Sequence, residues 1–362
     1  MTAKSIILFG MDQGLPTKLH LELTERCNAA CPMCARRDDG GQMNPQLADR
    51  EITLALFEHF FHIEFLQQLI ELRLCGNFGD PAVAQDSLAI CEHFRGINPS
   101  AALLMHTNGS VRSSEWWFRL GRLFKGNHDA MLFAIDGLQD THAVYRRNTS
   151  WERIIENADS FMRGGGNAHW VFLVFEHNQH QVEEARTLAK TLGFRQFTLK
   201  FTKRFRSHRT GKLRAQHPIK DQTQSVIGYI KPPSIPTYRN PVVTEDNLAP
   251  EGEVCCRAIL NSEIYVSAEG LVFPCCWTAS AIYPATTVEP SGEIWDLVRQ
   301  CGGKEALSLK TNTLKDILSA NRLLTGLAAR WQNTSAHGPA VCVRICSQTL
   351  DAFKAQFQHE RL

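Results

Sequence analysis

The sequence has no long apolar run, no recognisable secretory signal and almost no net charge. No stretch approaches the roughly 18 consecutive apolar residues that a membrane-spanning helix needs, so we expect no membrane partner. The opening MTAKSIILFGMDQG has too short an apolar segment for a signal and lacks a small-residue cleavage site. A net charge of +2 gives no general argument for binding nucleic acid. These absences predict a cytoplasmic protein.

Cysteine is abundant instead, with 12 in 362 residues. Disulfides are rare in a reducing compartment, and clustered cysteines there indicate metal ligands. The composition is otherwise that of a globular protein, at 43% hydrophobic and 21% charged, so a sizeable core can form. Three cysteines lie within 27–34, four within 255–276 and two at 342 and 346, whereas Cys75, Cys91 and Cys301 are isolated.

Strand-like and helix-like segments alternate from residue 19 to about residue 200. LHLEL (19–23) has period two, and WVFLVF (170–175) is the continuous apolar run typical of a buried parallel strand. The predicted strands are 19–23, 71–76, 102–109, 130–137, 170–175 and 194–201, separated by predicted helices at 51–69, 82–95, 113–124, 150–163 and 179–192. This α/β alternation predicts a parallel sheet that right-handed crossovers curl into a partial (βα)6 barrel.

The distinctive sequences directly follow predicted strands. A cysteine loop follows the first strand, CGNFGDP the second, HTNG the third and IDG the fourth. Sites in parallel α/β folds lie at the carboxyl ends of the strands. The loops therefore predict one site at the mouth of the barrel.

The cysteine loop, ELTERCNAACPMC, has the spacing C-x3-C-x2-C at Cys27, Cys31 and Cys34. Thiolates are soft ligands that suit iron–sulfur clusters or zinc, and both usually take four protein ligands. Two interpretations follow from the spacing alone. The three thiolates hold three corners of a [4Fe–4S] cluster with one open iron, or they belong to a zinc-stabilised binding module with a distant fourth ligand.

The same loop resembles the cluster loop of the radical S-adenosylmethionine (radical SAM) enzymes. The resemblance implies that Cys27, Cys31 and Cys34 ligate a [4Fe–4S] cluster whose open iron binds SAM. Met33 departs from the aromatic residue usual beside the last cysteine, although methionine can also pack on adenine.

Two further segments resemble SAM-binding parts of that family. CGNFGDP resembles the GGEP segment, which implies SAM contacts from Gly76, Gly79 and Asp80; the other interpretation is an ordinary strand-to-helix turn. HTNG and AIDGLQDTHAVYRR resemble later strand ends, which implies contacts from Asn108 and Asp136. Three roles stay open in these segments: Cys75 is a hydrogen donor or a small buried strand residue, His142 is a site residue or a solvated helix residue, and Arg146 is a candidate contact.

The second cysteine group lies around a predicted hairpin, IYVSAEGLVFP, which turns at Glu269–Gly270. CCRAILNSEIYVSAEGLVFPCC resembles the start of the SPASM or twitch extensions of radical SAM enzymes, although the longer cysteine run of a full SPASM domain is missing. The resemblance implies one auxiliary [4Fe–4S] cluster held by Cys256, Cys275, Cys342 and Cys346. Other assignments stay open. Cys255 fits the spacing equally well in place of Cys256, and two further cysteines, Cys276 and Cys301, are spare candidates. Cys342 and Cys346 are alternatively just two residues on one helix face, at i,i+4 spacing.

We therefore expect three parts. Residues 1–214 form the barrel and residues 215–250 a linker, since six of the 15 prolines lie between 218 and 250. Residues 251–362 form a small SPASM/twitch-like α+β domain, with helices predicted at 293–301, 313–331 and 347–358.

The resemblance implies an oxidoreductase that reductively cleaves SAM to a 5′-deoxyadenosyl radical, which takes hydrogen from a substrate. An electron donor such as flavodoxin or ferredoxin is then expected as a partner. We expect a peptide or protein substrate, with dehydrogenation of a small sugar or aminocyclitol as an alternative. RNA modification is supported only by the basic stretch 200–214, which is otherwise a solvated loop, so nucleic acid is not an expected partner.

Overall fold

The computed structural model describes residues 15–202, 204–205, 213–239, 254–284, 292–320, 322–331, 338–346 and 357–362. Within these ranges one sheet has nine strands in the order β10-β9-β1-β2-β3-β4-β5-β6-β11, and β7 and β8 form a separate hairpin. The strands are β1 (Lys18–Leu21), β2 (Glu71–Leu74), β3 (Ala102–Thr107), β4 (Ala130–Ala134), β5 (Ala168–Leu173), β6 (Gln196–Lys200), β7 (His217–Lys220), β8 (Val226–Ile230), β9 (Glu263–Val266), β10 (Val272–Phe273) and β11 (Phe357–Arg361).

Helices connect the strands of the sheet. Thr53, Ser113 and Ser150 cap three of them by accepting a hydrogen bond from the backbone N–H three residues further on. None of the described helices has both the length and the apolar composition needed to cross a membrane. The helices are α1 (Leu54–Phe60), α2 (Ile63–Gln68), α3 (Ser87–Ile97), α4 (Ser114–Gly121), α5 (His142–Tyr145), α6 (Trp151–Arg163), α7 (Val182–Leu192), α8 (Arg257–Leu260), α9 (Cys276–Ser280), α10 (Glu293–Gln300), α11 (Leu314–Ala320), α12 (Arg322–Trp331) and α13 (Ala340–Cys346).

The expected partial barrel is confirmed. Strands β1 to β6 follow one another in sequence order and every neighbouring pair is parallel. The barrel does not close, because β9 lies beside β1 and β11 pairs antiparallel with β6 at the opposite edge. The extension therefore contributes strands to the same sheet at both of its sides.

The two faces of the barrel strands differ in burial. Burial alternates along β2 and β3, where every second residue is fully buried. The buried face is apolar and packs under the helices, around large side chains such as Trp117, Phe133 and Trp170. The opposite face, which we call the lumen face, is less apolar and lines the inside of the barrel.

Two predicted helices differ from the structure, at 51–69 and 347–358. The predicted helix 51–69 is two helices, because Phe61 and His62 adopt extended backbone conformations between them. Of the predicted helix 313–331, Leu314–Ala320 and Arg322–Trp331 are helical, and residue 321 lies outside the described residues. Of the predicted helix 347–358, residues 347–356 lie outside the described residues, and Phe357 begins a strand.

The described part of the predicted linker forms the β7–β8 hairpin rather than an extended connection. The hairpin packs on the cysteine loop, where Lys220 N donates to Asp39 O at 2.9 Å and His217 Nε2 donates to Pro32 O at 3.1 Å. Arg147 Nη1 donates to Lys220 O at 3.0 Å from the other side. Residues 240–250 and most of the basic stretch 200–214 lie outside the described residues.

Candidate functional site

The structure brings the three cysteines of the first loop together. The loop follows β1 and is held by Cys34 N, which donates to Cys31 O at 3.1 Å, and by Ala30 N, which donates to Arg147 O at 2.9 Å. Cys31 is buried, and Cys27 and Cys34 are half-buried beside it. All three therefore lie on one wall at the carboxyl end of the first strand.

Two polar side chains reach the sulfurs, Asn108 from the end of β3 and Arg146 from the end of α5. Asn108 Nδ2 lies 3.7 Å from Cys27 Sγ, and Arg146 Nη1 lies 3.7 Å from Cys31 Sγ. Burial raises the pKa of the Cys27 thiol, and the neighbouring charges of Asp80, Cys31 and Cys34 raise it further. Burial also raises the pKa of Cys31, to about 11, against the opposing effect of the Arg146 guanidinium. A bound metal would displace these thiol protons, since coordinating thiols are deprotonated.

Among the described residues, no set of three or more His, Cys, Asp or Glu side chains has its ligand atoms arranged around a single metal ion. The three thiols are therefore neighbours, but their sulfurs do not form the ligand geometry of a single-ion site.

Asp80 orients the end of the third strand. Its carboxylate accepts hydrogen bonds from Thr107 Oγ1 at 2.8 Å, Asn108 N at 2.6 Å, Asn108 Nδ2 at 2.7 Å and Ala82 N at 3.0 Å. The side chain is buried, and burial raises its pKa above the usual aspartate range. Asp80 therefore holds the Asn108 amide, which in turn faces Cys27.

Gly76 and Gly79 bring the second strand-end loop against the cysteine loop. A Cβ at Gly79 would lie 1.6 Å from Thr24 O, and one at Gly76 would lie 2.5 Å from Gly79 O. Asp80 N donates to Arg26 O at 2.9 Å across the same contact. Any side chain at Gly79 would force the two loops apart.

Glu22 is a site residue that the sequence reasoning missed. Its carboxylate accepts from Phe78 N at 2.7 Å and Gly79 N at 3.2 Å, and the Tyr265 hydroxyl donates to its other oxygen. Burial raises the pKa of Glu22 to about 7, against these three hydrogen bonds. The signal in the sequence is an acidic residue directly after the last residue of β1. In the structure its side chain is 1% exposed.

Asp136 is fully buried and lies behind the cysteine loop. Its Oδ2 accepts from Arg146 Nε at 2.6 Å, and its Oδ1 accepts from Leu173 N at 2.7 Å. His142 Nδ1 accepts from Asp136 N at 3.2 Å, and Asn178 Nδ2 donates to Asp136 O at 3.0 Å. The His142 side chain is 1% exposed, and burial lowers its pKa to about 3. The solvated alternative for His142 is therefore wrong.

The extension brings its four predicted cysteines together. The pKa of the Cys342 thiol is raised first by burial and then by Cys275, Cys256 and Cys346. Cys255 precedes Cys256 in the chain, its N–H donates to Cys346 O at 2.7 Å, and its thiol also raises the pKa of Cys346. The choice between Cys255 and Cys256 therefore stays open.

The two spare cysteines of the extension lie in different surroundings. The Cys276 thiol is close to Cys75 and Glu22 on the lumen side. Its pKa is raised most by burial, next by Cys275, and then by the charges of Cys75 and Glu22. Cys301 lines a separate cavity of about 270 Å³ with Phe273 and Leu323. Cys75 itself is half-buried, and burial raises its pKa to about 11.

No model of a known protein family matches the chain. Molybdenum cofactor biosynthesis protein 1 of Dictyostelium discoideum is 26% identical over 148 residues, which is 41% of this chain. That match spans only 22% of the length of the curated relative.

Solved structures resemble nearly the whole chain. Streptococcus suis SuiB bound to S-adenosylmethionine has 13% identity and a TM-score of 0.53, covering 91% of this chain and 72% of SuiB. SuiB bound to its precursor peptide SuiA has 12% identity and the same TM-score, covering 91% of this chain and 70% of SuiB. The enzyme anSMEcpe with bound AdoMet and a Cp18Cys peptide has 13% identity and a TM-score of 0.52, covering 93% of this chain and 94% of that one. These structures are radical SAM enzymes, and the chain has their fold.

Proposed function

We propose that this chain is a radical SAM enzyme. The observation that carries the proposal is the group of three neighbouring thiols, Cys27, Cys31 and Cys34, at the mouth of the barrel. Solved structures with a similar fold bind AdoMet. The donor set fits a [4Fe–4S] cluster, because the thiolates are soft and two N–H donors already face their sulfurs. When bound, the cluster would reductively cleave SAM to a 5′-deoxyadenosyl radical that takes a hydrogen atom from substrate.

The chain's own residues would prepare this site in two ways. Arg146 and Asn108 would donate to the sulfurs of Cys31 and Cys27, and such hydrogen bonds raise the reduction potential of a cluster. The backbone of Gly76 and Gly79 and the amide of Asn108 would then bind SAM. Asp80 and Asp136 would mainly position Asn108 and Arg146, since their carboxylate oxygens already accept several hydrogen bonds.

The extension would hold an auxiliary [4Fe–4S] cluster through Cys256, Cys275, Cys342 and Cys346. Thiols of this set raise one another's pKa, which requires them to be close in space. This supports the set over one that includes Cys301. The cluster would accept an electron from the substrate radical or bind substrate, and flavodoxin or ferredoxin would supply electrons to the first cluster. We propose a peptide or protein substrate, because SuiB and anSMEcpe have both been solved with peptides.

The test is SAM cleavage by the full chain after anaerobic reconstitution with iron and sulfide. With dithionite as reductant, we expect 5′-deoxyadenosine, and we expect Cys31→Ala to abolish it. Cys91→Ala is the matched control, because Cys91 is buried in α3 away from the site and should keep the activity. Bound zinc without iron, or equal loss in both variants, would overturn the proposal.

A further inference from the structure

The lumen face of the barrel carries a group of basic and imidazole side chains. Strand register places them on one face, since His20 pairs with Arg73, and Leu132 lies between His106 and His169. Lys200 ends β6 on the same face, opposite Leu173 of β5. The charges of Arg73, Lys200, His20 and His169 all act on His106 and, after burial, lower its pKa. These groups therefore share one interior space.

The acids near this space are already paired. At the lower end of the lumen, Glu71 accepts from Arg73 Nε at 3.0 Å and from Nη2 at 2.6 Å. At the mouth, Glu22, Asp80 and Asp136 each accept at least three hydrogen bonds or an ion pair within the protein. Glu263 of β9, level with Glu71, lies 3.9 Å from His20 Nδ1 at the same lower end. Among the described residues no acid lies within ion-pair distance of Lys200.

His106 and Lys200 have polar atoms without partners. In the part of the chain that the structure describes, neither the His106 ring nor the Lys200 ammonium makes a hydrogen bond, and no carboxylate lies within ion-pair distance of Lys200. Lys200 Nζ lies over the Phe357 ring, 5.4 Å from its centroid. Burial, and after it the charge of Arg204, lower the pKa of Lys200 to about 8. Both side chains are half-buried rather than sealed in the core, so their polar atoms are open to a ligand in the lumen.

We infer that His106 and Lys200, with Arg73 below them, bind an anionic group of the substrate, a carboxylate or a phosphate. The inference rests on the proposed function, because it assigns the substrate to the lumen that the SAM site faces. An anion there supplies acceptors to both side chains and compensates the local positive charge. A peptide substrate would meet the requirement with an acidic side chain or a terminal carboxylate.

The experiment measures anion binding to the reconstituted full chain by isothermal titration calorimetry. The probes are inorganic phosphate and glutarate, which separate a phosphate-bearing from a carboxylate-bearing substrate. We expect one probe to bind with a millimolar dissociation constant. Lys200→Met should weaken this binding roughly tenfold or more, because it removes one charge-assisted hydrogen bond. Lys200→Arg should retain binding, and Lys190→Met on the exposed end of α7 should bind like the wild type.

Each result decides the inference. His106→Gln serves as the second variant if Lys200→Met fails to fold, and it should weaken the same probe. Absence of binding by both probes, or equal binding in Lys200→Met and Lys190→Met, would overturn the inference. SAM cleavage is measured on the same preparations. Cleavage without anion binding would contradict only the anion site in the lumen. Anion binding without cleavage would contradict only the proposed radical SAM activity.

Discussion

Arg146 connects Asp136 to Cys31. Its Nε donates to the Asp136 carboxylate at 2.6 Å, while Nη1 of the same guanidinium lies 3.7 Å from the Cys31 sulfur. The aspartate that resembled a direct SAM contact is thus fully buried behind an arginine, and its direct contact with SAM stays a prediction. The arrangement makes Arg146 the group through which the end of the fourth strand acts on the cysteine loop.

Arg146→Met should destabilise the chain strongly. It leaves the Asp136 carboxylate buried without its cation, which costs about 3 kcal/mol of unfolding free energy in comparable buried pairs. Arg163→Met is the matched control, because Arg163 pairs with Asp159 on an exposed helix surface, where such pairs contribute about 0.5 kcal/mol or less. Urea unfolding of the cluster-free chain measures both. Equal losses would show that the Asp136–Arg146 pair has no special role.

Iron content should report on the second cysteine group. Two [4Fe–4S] clusters correspond to about eight irons per chain, and Cys275→Ala/Cys346→Ala should lower the content to about four. Cys301→Ala should leave it unchanged, because Cys301 lines a separate cavity. Colorimetric iron determination after anaerobic reconstitution gives the count. An unaltered count in the double variant would eliminate the auxiliary cluster as assigned.

Glu22 should make the chain more stable in mild acid. Its pKa is about 7 in the folded chain against an ordinary value of 4.5, so between these values the folded state binds more protons than the unfolded state. Glu22 therefore contributes its full stabilisation below about pH 4.5. As the pH rises to about 7, the free energy of unfolding falls by about 2 to 3 kcal/mol.

Glu22→Gln should remove that slope, because an amide oxygen still accepts from Phe78 N while the amide nitrogen donates to the Tyr265 oxygen. Urea unfolding at several pH values measures the difference between the two curves. Glu115→Gln, on the exposed first turn of α4, should follow the wild type. Parallel curves for wild type and Glu22→Gln would contradict the buried, protonated carboxyl.

The local parts of the fold could be predicted from the sequence, whereas the long-range contacts could not. Strand period and cysteine spacing depend on neighbouring residues, which is why the barrel strands and the proximity of Cys27, Cys31 and Cys34 could be predicted. The contact between Glu22 and Tyr265 joins residues 243 positions apart, and no local pattern encodes it. The helix break at Phe61–His62 was missed because apolar residues continue at helical spacing across it.

The hairpin β7–β8 was missed for a related reason. Prolines between 218 and 250 suggested an extended linker, but Pro218 lies in a two-stranded hairpin, where proline is tolerated at an edge. Its docking on the cysteine loop depends on partners such as Asp39 and Pro32, which lie about 180 residues earlier. Composition cannot report such tertiary contacts.

The pairing of β6 with β11 has a consequence for how the protein is made. Thr198 and His359, which hydrogen-bond across this pair, are 161 residues apart. At about 5–20 residues per second, a ribosome needs roughly 8 to 30 seconds to synthesise that interval. During this time all six barrel strands have been synthesised but β6 lacks its outer neighbour, and such an unpaired strand edge is a binding place for a chaperone.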